Sequence, residues 1–289
     1  MSAELEHLKK WIGEKETGVD HVTIPFVHRL SATLDRDDAF PKTGDVLPPG
    51  WHSCLFPRVV RHSQIGPDGH PARGDFLPPV PLPRRMFAGK RTRFQGDLRL
   101  GDEVTRVSTI KDVVIKQGRT GTMVFVTVNT DITSPRGLAI SEEQDIVYRQ
   151  EPDPNAPASV AKPAPQPAPG IAVWKNIVTP TEVMLFRYSA LTFNGHRIHY
   201  DHPYVTQTEG YPGLVMNGGL TTLLVYELAR AHAPANSPIK FISSRNVRPM
   251  FANRPITICG EPSTDGKAAK LWTQDDTGAL SMSATAEFA

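Results

Sequence analysis

The chain has 289 residues, 39% of them hydrophobic, with 32 Lys and Arg against 30 Asp and Glu for a formal net charge of +2. That length holds two ordinary domains or one large one, and the apolar share supplies a core. A balanced charge without a long basic run gives no reason to expect nucleic-acid binding, and no stretch approaches the roughly 20 apolar residues of a membrane span.

Residues 2–15 are polar and amphipathic and lack the apolar core of a secretory signal. Cys54 and Cys259 lie far apart with no CxxC pairing, which fits buried free thiols in a reducing compartment. A cytoplasmic protein is the expectation. Residues 48–83 are rich in Pro and Gly and read as irregular. PLPRRMFAGKRTRF, residues 81–94, concentrates Arg84, Arg85, Lys90, Arg91 and Arg93. Such a run either binds phosphates or a carboxylate or guards an edge strand with charge. The second reading suits most of these residues and leaves one or two for a ligand. Residues 91–94 read as a short strand. Residues 103–114 and 122–132 flank the turn at 118–121, and GTMVFVTVNTDI alternates apolar and polar as a hairpin strand does. Strand character returns at 143–148. EPDPNAPASVAKPAPQPAPG, residues 151–170, reads as an extended linker dividing 1–150 from 171–289.

In the second part, Val183, Phe186 and Ala190 recur at helical spacing after a cap-like Thr-Pro-Thr-Glu, which predicts a short helix over 179–189. Residues 214–231 form the longest helix candidate and are apolar almost all round. Strands follow at 241–247, 256–261, 270–274 and 280–288. One buried helix followed by antiparallel strands predicts a helix wrapped by a curved sheet. Two such units side by side make an α+β architecture.

The chemistry concentrates in LTFNGHRIHYD, residues 191–201. His199 reads as a general acid/base. A lone histidine there would be a turn residue, but Asn194, His196 and Asp201 beside it favour the functional reading. Asn194 can orient a water without taking its proton, or form a turn with Gly195. His196 and His199 stand three apart, yet no carboxylate completes a ligand pattern, so no metal is expected. Asp201 either fixes the tautomer of His199 or forms a turn. Gly218 and Gly219 head an apolar helix, where glycine is costly. Either a backbone N–H approaches a ligand oxygen there, or the helix packs tightly, and the two readings are compatible.

With FLPPVPLPRRMFAGKRTRF, LRLGD, EEQDIVY, FRYSALTFNGHRIHYD and GYPGLV together, the chain resembles the MaoC-like, hotdog-fold acyl-thioester hydratases and dehydratases. Within them it is similar to the double-hotdog branch of itaconyl-CoA and mesaconyl-C4-CoA hydratases and mitochondrial-type 3-hydroxyacyl-thioester dehydratases. The resemblance implies a double hotdog, two curved antiparallel sheets each wrapping a central helix. It places the site in 171–289 and makes 1–150 a non-catalytic copy. It implies His199 as the base, Asn194 at the position of the family's catalytic Asp, and Gly218 as donor to the thioester carbonyl. Three residues depart from the family pattern: Asn194, Asn217 where a His usually precedes the glycine, and Gly219 where the branch often has Pro. The second proton-handling group then falls to Asp201 or His196. The implied activity is addition of water to a 2,3-unsaturated acyl-CoA, first itaconyl-CoA or mesaconyl-C4-CoA to give citramalyl-CoA. Substrate-binding candidates are Arg84, Arg85 and Arg197 for the free carboxylate, together with Asn217. Dehydration of 3-hydroxyacyl thioesters is the alternative, and a non-catalytic acyl-CoA-binding protein is the second. No cofactor is implied beyond the CoA of the substrate, and a monomer and a homodimer both remain open.

Overall fold

The structure, a computed structural model, describes residues 5–71, 76–118, 121–150 and 165–289. Runs of β-branched residues alternating with polar ones form most of the strands. The first half contributes β1 (Lys15–His21), β2 (Arg84–Phe94), β3 (Glu103–Gly118), β4 (Gly121–Ser134) and β5 (Gly137–Arg149). The second contributes β6 (Trp174–Val178), β7 (Ile239–Asn246), β8 (Ile256–Pro262), β9 (Ala268–Gln274) and β10 (Leu280–Phe288). The helices are α1 (Ile24–Thr33), α2 (Glu182–Leu191), α3 (His202–Gln207) and α4 (Gly218–Ala231).

All these strands belong to one sheet, ordered β1-β3-β4-β5-β2-β7-β10-β9-β8-β6. The order is palindromic: each half reads edge strand, then third, fourth, fifth and second strand, and the halves meet at β2 and β7. That seam is antiparallel, from Gly89 opposite Arg245 to Arg93 opposite Phe241. Each half thereby covers the edge that the other would expose.

The repeat extends to the first helices. Thr23 caps α1 by accepting from the Phe26 N–H, and Thr181 caps α2 by accepting from the Met184 N–H. Both helices then run into a non-glycine residue in the left-handed region, Asp35 (φ 55°) and Phe193 (φ 52°). α1 packs against α2.

The halves differ in what fills the sheet. α4 lies across β6–β9 and buries nine residues, among them Leu220, Leu223, Tyr226 and Leu228. Among the described residues, the matching stretch of the first half carries short 3-10 turns, Trp51–Cys54 and His62–Gln64. Prolines at 41, 48, 49, 57, 67, 71, 78, 79, 81 and 83 remove the N–H groups a long helix needs. The expected pair of central helices is therefore one long helix and one irregular, proline-rich filler.

Sequence patterning gave no β1, α1, β6 or α3. β1, KETGVDH, is a mostly exposed edge strand with no apolar alternation to betray it. The short strand expected at 91–94 is the end of β2, which begins at Arg84. The amphipathic stretch at 2–15 is a 3-10 helix over Glu6–Trp11 that buries Leu8, and residues 2–4 lie outside the described residues. Residues 151–164 of the linker also lie outside them.

The core is shared. Leu30, Trp51 and Leu55 from the first half join Leu185, Leu220, Leu223 and Tyr226 from the second in one apolar cluster. Beside it, near the seam, the Glu142 carboxylate takes the Lys90 ammonium (2.8 Å), His52 Nε2 (3.2 Å) and the Thr92 hydroxyl (2.9 Å). Burial alone would raise its pKa. Lys90, then His52, hold it well below the usual carboxylate range.

A core spanning both halves predicts one cooperative transition. Leu223→Ala is expected to cost about 2–5 kcal/mol and to lower a single calorimetric melting transition. Two resolved transitions, with only one displaced, would show that the halves unfold separately.

Candidate active site

The turn after α2 is built by its own polar groups. Asn194 N–H donates to the Ser189 carbonyl (2.8 Å), and Asn194 Oδ1 accepts from the His196 N–H (3.0 Å). Asn194 is thus the turn former, with its carboxamide oxygen engaged by the backbone. The Tyr200 hydroxyl donates to the Gly195 carbonyl (2.9 Å), and the chain closes in a 3-10 turn over Arg197–His199.

That turn points His199 inward. The ring is buried, and its Nδ1 lies 2.7 Å from the Val215 carbonyl oxygen. A carbonyl can only accept, so Nδ1 carries the proton and Nε2 is left as a lone pair. Val215 N–H in turn donates to the Ile198 carbonyl (2.9 Å). This reciprocal pair fastens the imidazole three residues before the start of α4.

At that start Gly218 and Gly219 are exposed. Helix geometry leaves their N–H groups without intrahelical acceptors, in the positive end of the helix dipole. Gly219 has a packing reason as well: a Cβ there would lie 2.3 Å from the Tyr188 hydroxyl oxygen. A Cβ on Gly218 would meet Asn246 Nδ2 at 3.1 Å, so the Asn246 carboxamide stands over the helix start. Asn217 is buried, with Nδ2 on the Ser189 hydroxyl (3.3 Å) and Oδ1 unpartnered among the described residues.

Asp201 does not reach His199. Its Oδ2 takes Arg197 Nε (2.9 Å) and its Oδ1 takes the Tyr204 N–H, capping α3. The Tyr204 N–H, then Arg197, hold its pKa below the usual range. The tautomer of His199 is fixed by Val215, and Asp201 is the turn residue. Arg197 is correspondingly committed to Asp201, the Pro67 carbonyl (2.9 Å) and the Tyr204 ring.

Two residues here were invisible to sequence patterning. The first-half loop at 66–71 lies against the turn: Arg197 N–H donates to the Asp68 carbonyl (2.9 Å). Gly69 (φ 87°) sits so close that a Cβ would lie 1.9 Å from the Gly195 carbonyl oxygen. The loop brings the His70 ring to 3.9 Å from the His196 ring, with Asp68 Oδ2 3.0 Å from His70 Nδ1. The His196 ring meets the His199 ring edge to face at 5.4 Å. Asp68 and His70 lie more than 120 residues upstream in a proline-rich segment, so no local motif marks them.

Burial lowers His199 from 6.5 to about 4, with the Val215 contact opposing and His70 adding to the shift. Burial, then the charges of His70 and His199, lowers His196 to about 3. Both rings are neutral at physiological pH. Arg85 is exposed and its charge also bears on His196. Arg84 lies opposite Arg149 in the β2–β5 pairing, while Lys90, Arg91 and Arg93 are engaged by Glu142, by Glu143 and Asp145, and by the Phe241 ring.

A neutral imidazole with a free Nε2 beside an open helix N-terminus, on a palindromic sheet with a buried central helix, is the arrangement of a hotdog-fold thioester hydratase or dehydratase. The chain belongs to the hydroxyacyl-thioester dehydratase type 2 family, whose profile matches residues 50–252. It is 43% identical over 277 residues to the mesaconyl-C(4)-CoA hydratase of Chloroflexus aurantiacus, covering 96% of each chain. A MaoC-like dehydratase from Phytophthora capsici superposes with a TM-score of 0.69 at 13% identity, covering 99% of this chain and 98% of that one. A Mycobacterium tuberculosis protein described as a double hotdog superposes with a TM-score of 0.57 at 13% identity, covering 96% of each. The double-hotdog architecture expected from sequence is the architecture of the chain.

The two lowered histidines set the sign of the acid response. Folding disfavours their protonation, so the unfolded chain binds more protons between about pH 3 and 6.5. Stability is full above pH 6.5 and falls as pH drops through that window. His199→Gln is expected to flatten the fall, as measured by urea midpoints at stepped pH; an unchanged slope would refute the burial assignment.

Proposed function

We propose that the protein is a hydro-lyase that reversibly adds water to a 2,3-unsaturated acyl-CoA, with mesaconyl-C4-CoA as its first substrate and citramalyl-CoA as product. The observation that supports this reading most is the fastening of His199, through Val215, three residues before Gly218. The likeness to the Chloroflexus hydratase supports the substrate.

In this reading the thioester carbonyl accepts from the Gly218 N–H at the dipole's positive end, and C3 becomes electrophilic. Asn246, whose carboxamide stands over Gly218, is placed to assist. His199 Nε2 takes a proton from water as the oxygen bonds to C3, and the electrons of the double bond move onto the thioester as an enolate. His199 then returns the proton to C2. The proton count closes on one imidazole, which lets Asn194 serve as turn former without being a base. No cofactor takes part in this scheme. The free carboxylate of a dicarboxylyl substrate falls to Arg85, since Arg197 is occupied by Asp201.

The reverse reaction, dehydration of a 3-hydroxyacyl thioester, is the second reading, and the family match over 50–252 favours it. The same groups serve both directions.

His199→Ala is expected to lower kcat for hydration by about 10²–10⁴-fold with the helix start intact. Near-normal turnover would remove His199 from the role. Because its pKa is about 4, the acid limb of kcat/KM is expected near pH 4 instead of 6.5. Arg85→Ala is expected to raise KM for mesaconyl-C4-CoA more than for crotonyl-CoA; equal effects on both would exclude Arg85 as the carboxylate's partner. A wild type inactive on mesaconyl-C4-CoA, itaconyl-CoA and crotonyl-CoA alike would favour a non-catalytic acyl-CoA-binding protein.

A further inference from the structure

Sequence spacing offered His196 and His199 as a pair with no third ligand. The fold keeps these two rings in contact but gives His196 a different set of partners. His199 is turned away to Val215, while His196 faces the first-half loop. One carboxylate oxygen of Asp68, one ring nitrogen of His70 and one of His196 all lie within 4.8 Å of one another.

We propose that Asp68, His70 and His196 bind a divalent transition-metal ion, zinc foremost, at the junction of the two halves. Two imidazoles and a carboxylate suit zinc. Bonds of about 2.0–2.2 Å place tetrahedral ligand atoms roughly 3.4 Å apart, so short side-chain rotations close the set. The backbone is already in place, with Arg197 N–H on the Asp68 carbonyl and Gly69 pressed on Gly195. Asp68 has capacity for this: a carboxylate offers about four lone-pair sites, and here two are taken, by the His70 N–H and the His70 ring. A fourth position is left for water. The ion would lock the first-half loop onto the turn that carries His199.

The test is titration of chelator-stripped full-length protein with Co²⁺ alone, followed by visible d–d absorption, then displacement with Zn²⁺. The expected result is saturation at one equivalent, with affinity weakened by about 10–100-fold or more in Asp68→Asn and in His70→Ala, circular dichroism of both variants matching wild type. The proposal is overturned by the absence of a visible band in wild type, by a band undiminished in both variants, or by the thiolate charge-transfer absorption that would place the ion at Cys54 or Cys259. If both variants misfold, His196→Gln replaces them. The readout is binding alone and is independent of whether the protein turns over any acyl-CoA.

Discussion

The antiparallel pairing of β2 with β7 is the constraint on which the rest depends. It joins two five-stranded units edge to edge and gives the chain one sheet, with the largest apolar cluster drawn from both halves. It also sets the direction in which each half's loops leave the sheet. Because β2 follows the proline-rich segment, that segment is delivered onto the second half, where Trp51 packs with Tyr226 and Leu223. A long helix in that segment would duplicate α4, and the prolines forbid it. The first half has kept the repeat's strands and its capped first helix, and uses the freed length as a wall for its neighbour.

Behind that wall, the backbone of a single residue holds the imidazole. Val215 accepts from His199 through its carbonyl and donates to Ile198 through its N–H. One contact fixes the imidazole tautomer, its depth and its distance along the chain from the α4 N-terminus. Burial then keeps the ring neutral, which is the state a base must be in before it takes a proton. In the proposed reaction the positive end of α4 would favour the negative charge that develops on a thioester oxygen.

The first half is closer to this site than its composition suggests. Asp68 and His70 stand against His196, and the Gly69–Gly195 approach leaves no room for a side chain on either. The first half supplies a backbone acceptor, a ring contact and a carboxylate to the turn that carries His199.

Much of this was legible in the sequence. Alternation located the long strands β3 and β4 and the apolar patterns located α2 and α4, because each signal is local; the crowding of Asn194, His196, His199 and Asp201 marked the turn that the fold places before α4. β1 and β6 escaped, being short and exposed on their faces. The roles inside the site were decided by tertiary structure. Asn194 read as an orienter of water or a turn former, and Asp201 as the group fixing the His199 tautomer or a turn residue; the placement of the His196 N–H, Arg197 and the α3 cap made them turn residues. His70 had no signal at all, since its partner lies 126 residues away. The sequence by itself determined the long strands, the helices α2 and α4 and which residues can move a proton. The fold decided which of them meet, because burial and hydrogen-bond partners are properties of three-dimensional neighbours that spacing along a chain does not encode.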